Sequence, residues 1–151
     1  MDYHERLTAP AWYWIVAIVF GVSTIFAVGI WYGPWVAAAG AVVVTAAITV
    51  ALAWAGRVDV AVDDRGLRVG PSLLEWPYVG SVEALDAEAT RERLGVKADA
   101  RAFTVEKAWL SESVLVTVAD PADPHPYWVI GTRRPAQLAA AIEGRLAEVA
   151  G

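Results

Sequence analysis

The chain is 151 residues long and 57% hydrophobic, with eight Trp and no cysteine. The missing cysteine excludes disulfides, thiol nucleophiles and thiolate-ligated metals, and a net charge of −5 with no basic arm argues against a nucleic-acid partner. The apolar excess sits in the first third: Leu7 to Gly56 carries no charged side chain, a run that accommodates two bilayer crossings of about 20 residues each.

Residues 1–10 read as a cytoplasmic N-terminal segment and 11–55 as a transmembrane helical hairpin, with spans over 11–31 and 35–55. Trp12, Tyr13 and Trp14 mark one lipid–water interface. At about 1.5 Å per residue a hydrocarbon core of roughly 30 Å is crossed by Trp31 and Tyr32, which mark the other. Gly33 and Pro34 break the helix, Trp35 re-enters at the same depth, and Trp54 returns to the first interface. A cleaved signal peptide is the competing reading. It fits less well, because the first stretch is long, has only Arg6 as a basic flank and is followed by a second span. Arg6 and Arg57 flank the outer ends while the turn has no basic residue, which places both termini in the cytoplasm of a two-pass plasma-membrane protein. Asp2 and Glu5, beside Arg6, make that bias modest. The spans hold no Asp, Glu, Lys, Arg or His, so nothing in them resembles a proton relay or ion path. Ala37 to Ala41, Ala46 and Ala47 in the second span, with Ala17 and Gly21 in the first, suit close helix packing. They serve the hairpin's own packing or, as two helices cannot cover all their small faces, another membrane protein or a second copy.

From residue 57 to 151 the polarity is that of an ordinary small domain. Val58, Val60 and Val62 alternate with polar or small residues, and Asp63-Asp64-Arg65-Gly66 predicts a turn into Leu67 and Val69. Further strands are predicted over Ser72 to Trp76, Val79 to Leu85, Ala102 to Lys107, Ser113 to Ala119 and Tyr127 to Gly131, about seven in all. Ala87 to Leu94 has helical composition, with Gly95 as its stop. Pro135 opens a final helix in which Leu138, Ile142, Leu146 and Val149 recur on one face.

Seven short strands closed by one amphipathic helix resemble the pleckstrin-homology superfold, a small β-barrel plugged by its C-terminal helix, here in a membrane-anchored version. The segments Val82-Glu83-Ala84-Leu85-Asp86-Ala87-Glu88-Ala89-Thr90-Arg91, Asp120-Pro121-Ala122-Asp123-Pro124-His125-Pro126-Tyr127-Trp128 and Thr132-Arg133-Arg134-Pro135 resemble the actinobacterial membrane proteins grouped as domain of unknown function 3093. The likeness extends over nearly the whole chain, with Gly131 standing where that pattern leads one to expect a serine. It implies topology and brings no activity with it.

The candidate binding residues are Asp120, Asp123, Tyr127, Trp128, Arg133 and Arg134. Asp120 and Asp123 lie in a proline-stiffened loop, where aspartates ordinarily bond nearby N–H groups; a cation held by these two and His125 is the rarer reading. Arg133 and Arg134 precede a helix start, where positive charge opposes the helix dipole. Something must compensate. Either they pair with Asp120 or Asp123, or they hold an anion such as a lipid phosphate or an acidic peptide. His4 and His125 are the only imidazoles, and there is no nucleophile elbow or phosphate loop. Trp76, Tyr78 and Trp109 suit core packing better than a binding platform. The expectation is therefore a non-enzymatic membrane-tethered interaction module without a cofactor, binding a protein partner at the cytoplasmic face or assembling with itself. Anionic lipid binding is the alternative, and a small enzyme of unrecognised type the third.

Overall fold

The computed structural model describes residues 3–8, 10–55 and 58–150. They fall into two compact units, Thr8–Arg57 on one hand and the segment up to Leu7 together with the chain from Val58 on the other. Arg57, one of the two basic flanks behind the expected orientation, lies outside the described residues, as does Asp2.

The first unit is a pair of helices, α1 (Ala11–Tyr32) and α2 (Pro34–Ala55), each long and apolar enough to cross a membrane. They turn on Gly33, whose φ of 85° suits glycine, and Pro34 opens α2 where its missing N–H is not needed. Ala17, Gly21, Ala37 and Ala41 are buried between them, and a Cβ on Gly21 would lie 2.7 Å from Thr45 Oγ1. The expected small-residue seam thus exists, and it lets the two backbones approach. The larger apolar side chains point away from it: Phe26 is 71% exposed, Ile30 80% and Trp35 86%.

The second unit begins before the hairpin. Tyr3–Arg6 forms strand β1 and pairs antiparallel with β2 (Asp59–Val62), placing Glu5 opposite Val60 and Arg6 opposite Asp59. Leu7 N–H then donates to Val58 O at 3.0 Å. The helical hairpin therefore occupies the position of a tight β-turn between two paired strands. The reading of residues 1–10 as a flank outside the domain missed this strand. Four polar or charged residues before an apolar run look like a flank because their only partner lies beyond the run.

β3 (Gly66–Val69) and β4 (Ser72–Glu75) complete a sheet in the order β1-β2-β3-β4. Gly66 is required at its turn, since a Cβ there would collide with the Leu74 carbonyl. A 3₁₀ turn over Trp76–Tyr78 leads into β5 (Val79–Leu85), followed by helix α3 (Ala87–Leu94), β6 (Phe103–Val105), β7 (Ser113–Val118), β8 (Tyr127–Gly131) and helix α4 (Pro135–Ala150). The second sheet runs β5-β7-β8-β6, with β6 parallel to β8.

Each strand expected after the hairpin is present to within a few residues. The expected barrel is not closed: the described strands form two four-stranded sheets with no ladder between them. Pro77 in the 3₁₀ turn has no N–H with which to carry the β4 ladder onward. At the far edge of the second sheet β6 has only three residues.

Both sheets and α4 share one core. Leu7, Val60, Val62 and Leu67 from the first sheet meet Val114, Val116, Trp128 and Ile130 from the second and Leu138 and Ile142 from α4. The opposite face of the second sheet makes a smaller cluster, Leu85, Leu115 and Val129, beneath Ala89 and Leu94 at α3. Asp86 caps α3 by accepting from Glu88 N–H and Ala89 N–H, and Thr90 bonds Ser113 of β7 at 2.9 Å.

Because Leu7 and Val58 form a bonded pair, a variant in which Asn-Gly replaces residues 8–57 is expected to fold as a water-soluble domain with a cooperative melt. A fragment starting at Val58 loses β1 and the fully buried Leu7. Truncating such a leucine alone costs about 2–5 kcal/mol, so that fragment should melt at least about 10 °C lower by circular dichroism, at about 4–8 °C per kcal/mol.

Candidate functional site

The most heavily constrained polar cluster lies where β8 hands over to α4. Gly131 ends the strand, Thr132 N–H donates to Glu112 O at 3.1 Å, and Thr132 is buried. Its hydroxyl accepts from Arg134 N–H at 3.0 Å and donates to Glu5 Oε2 at 2.5 Å. The Tyr3 hydroxyl donates to the same oxygen at 2.6 Å, and Arg133 N–H reaches Glu5 Oε1 at 3.2 Å. Strand alternation turns Tyr3, Glu5 and Leu7 inward and leaves His4 and Arg6 exposed.

Glu5 is only 8% exposed, so its ionisation depends on these donors. Burial pushes its pKa up. Hydrogen bonds from Thr132, Tyr3 and Arg133 N–H, with the Arg133 charge, outweigh burial and hold it below its ordinary value. The Tyr3 hydroxyl is pushed up to about 12, first by burial and then by its bond to Glu5. An anion at the start of α4 is thus supplied by β1, and Arg133 faces it. It lies 127 residues away in sequence from the threonine that holds it.

The arginines do not pair with Asp120 or Asp123. Those aspartates precede β8 and the arginines follow it, and five residues at about 3.4 Å each put roughly 17 Å of strand between them. The Asp120 carboxylate accepts from Ala122 N–H at 2.8 Å, and Asp123 takes both His125 N–H and His125 Nδ1 at 2.8 Å. They act as turn formers. Among the described residues no group of three His, Asp or Glu side chains converges. Trp128 is 5% exposed in the main core, with its ring 4.4 Å from Phe103. Tyr127 faces the other side of the sheet, beneath Arg93 at 4.9 Å, and its hydroxyl accepts from Asp99 N–H. The candidate residues therefore occupy four separate places. Arg133 and Arg134 are exposed, and Arg134 forms no ion pair among the described residues. Trp76 is a core residue whose Nε1 donates to Asp63 O, whereas Tyr78 is 41% exposed.

Sequence reasoning missed Tyr3, Glu5 and Thr132. The available signal was the inward alternation of Tyr3, Glu5 and Leu7, together with the uncompensated arginines at a helix start.

Two apolar helices set into the first β-turn of a two-sheet domain, itself packed against a C-terminal helix, define the class of protein. The chain belongs to the family described as protein of unknown function (DUF3093), whose profile it matches over residues 2–142, a stretch that runs from before β1 into α4 and contains every residue of the Glu5 cluster. No curated protein and no solved structure matches it.

Since the folded state holds Glu5 below the ordinary 4.5, its contribution to stability is full above that value and is lost as pH falls through the lowered one. Glu5→Gln should flatten this acid limb of the thermal-stability profile. Thr132→Val, which leaves Glu5 one donor short, should cost about 1–3 kcal/mol at neutral pH by chemical denaturation.

Proposed function

We propose that this chain is a two-pass membrane protein that holds a pleckstrin-like domain at the cytoplasmic face of the plasma membrane, where it binds a protein partner. The observation that carries this reading is the pairing of β1 with β2 across the hairpin. Two strands of one ladder must lie on the same side of a bilayer, so an inserted hairpin that crosses twice is the arrangement compatible with the fold. The domain is then tethered by two links, which raises its effective concentration toward anything else confined to that membrane. The exposed aliphatic and aromatic surface of α1 and α2 supports bilayer insertion. So does the self-satisfaction of Ser23 and Thr24, which donate to Val19 O and Phe20 O at 2.8 Å. Arg6, with Arg57, favours a cytoplasmic domain.

Two four-stranded sheets with a C-terminal helix packed on β5 and β7 support the pleckstrin-like reading, as an open relative of that barrel. Headgroup binding by Arg133 and Arg134 has less support, because the Arg133 N–H that would face an incoming phosphate is given to Glu5. A small enzyme has less still, as the buried carboxylate of the cluster is taken up by the Tyr3 and Thr132 hydroxyls and the Arg133 N–H.

Purification of the full-length protein from its native membrane in mild detergent, with washes at low and high salt, tests this reading. A near-stoichiometric protein partner that survives high salt is expected. An anionic lipid that washes away with salt, without a protein partner, would overturn it in favour of headgroup binding.

A further inference from the structure

Strand β1 is an outer strand of the first sheet, and its ladder with β2 fixes which backbone groups it leaves free. Leu7 N–H donates to Val58 O, while Asp59 O accepts from Gly70 N–H on the other side of β2. Alternation along an antiparallel pair then turns the N–H and C=O of Tyr3 and Glu5 toward β2 and those of His4 and Arg6 away from it. Among the described residues no hydrogen bond is made at that outer edge.

Tyr3, at the start of β1, and α4 border a groove of about 420 Å³ walled by Gln137, Ala141 and Gly144. The wall is low because its side chains are small, and a Cβ on Gly144 would meet nothing within 4 Å. Charge is uneven along this groove. At the far end Arg145 is bonded to Glu148 and Asp64. At the near end Arg134 is exposed, has no ion pair among the described residues and acts electrostatically on the Tyr3 hydroxyl. The neighbouring carboxylates are already engaged, Glu5 by Tyr3, Thr132 and Arg133 N–H, and Asp59 by Arg6.

We propose that the protein partner enters as an extended acidic segment that adds to β1 as a further strand of the first sheet, with a carboxylate on Arg134 and an apolar side chain in the groove against Gly144. A strand added at about 4.8 Å from β1 turns alternate side chains to the face that carries Tyr3, where the groove lies. Main-chain bonds to His4 and Arg6 supply affinity, and the groove and the arginine supply selection. A second copy does not meet this description, because its own β1 has no free carboxylate to offer. This inference rests on the reading that the domain binds a protein partner.

The test uses the full-length protein in its native membranes, with photoreactive benzoylphenylalanine in place of Gln137. Irradiation should give one protein adduct, whose cross-linked peptide, read by mass spectrometry, contains Asp or Glu. The same group in place of Val96, which is 95% exposed, should give several-fold less. Arg6→Pro removes an outward N–H that the β2 ladder does not use, so the domain should still fold while the adduct falls at least about fivefold. Arg6→Ala, which also loses the side chain, should keep the adduct. Gly144→Phe fills the groove at a position where helix propensity rises, and it should lower the adduct by a similar factor whatever the fate of the proline variant. Arg134→Glu should do the same and Arg134→Lys should not. An adduct of twice the chain mass, a lipid adduct, equal yield at Val96, or indifference to both Arg6→Pro and Gly144→Phe would each overturn the inference. A protein partner that co-purifies but cross-links only away from Gln137 defeats the added strand alone, and the absence of any protein partner defeats the reading on which it rests.

Discussion

A carboxylate that is almost wholly removed from water stays ionised only if protein donors replace its hydration, and Glu5 obtains those donors from both sides of the hairpin. Tyr3 comes from its own strand; the Thr132 hydroxyl and the Arg133 N–H come from the start of α4. The carboxylate in turn fixes the exit of β8, offsets the Arg133 charge and ties β1 to the start of the domain's closing helix. These bonds require β1 to lie beside β2, so the join between β8 and α4 is built on a strand that precedes the hairpin.

That dependence explains why an edge strand of only four residues survives. Isolated two-stranded pairings are marginal in water. Here β1 gains from the fully buried Leu7, which packs with Val60 and Leu67, and from the tie to Thr132. Removing the ionic tie would leave the ladder and Leu7; removing Leu7 would leave a charged group anchoring a strand with a void behind it. The two contributions differ in kind, one apolar and sensitive to volume, the other polar and sensitive to pH.

Much of the fold was legible because the relevant signals are local. Alternation in Val58 to Val62 and Ser113 to Ala119, the aspartate-glycine turn at Asp63 to Gly66, Asp86 before α3 and Pro135 at the head of α4 each reflect a backbone requirement met within a few residues. What was not legible depends on contacts that no local window contains. β1 looks like a flank because its partner follows two helices. The nearest aspartates in sequence to the arginines are Asp120 and Asp123, although β8 carries the chain away from them. Tyr127 and Trp128 are neighbours in sequence, yet adjacent residues on a strand point to opposite faces, and these two enter different clusters. Closure was inferred from strand number and helix placement, whereas a ladder between the sheets depends on how the chain turns at Trp76 and Pro77.

Setting the hairpin into a β-turn also bears on how the proposed membrane protein must be built. A β1–β2 ladder tolerates an even number of crossings between its strands and no odd number, because an odd number would leave the two strands on opposite sides of the bilayer. Cleavage after the first span would discard β1, and with it Glu5 and Leu7, leaving Thr132 buried without its acceptor and a gap beside Val60. The signal-peptide reading therefore conflicts with the packing of the domain as well as with the length of the apolar stretch. The same packing makes the hairpin more than an anchor, since it is the covalent route by which the domain receives its first strand.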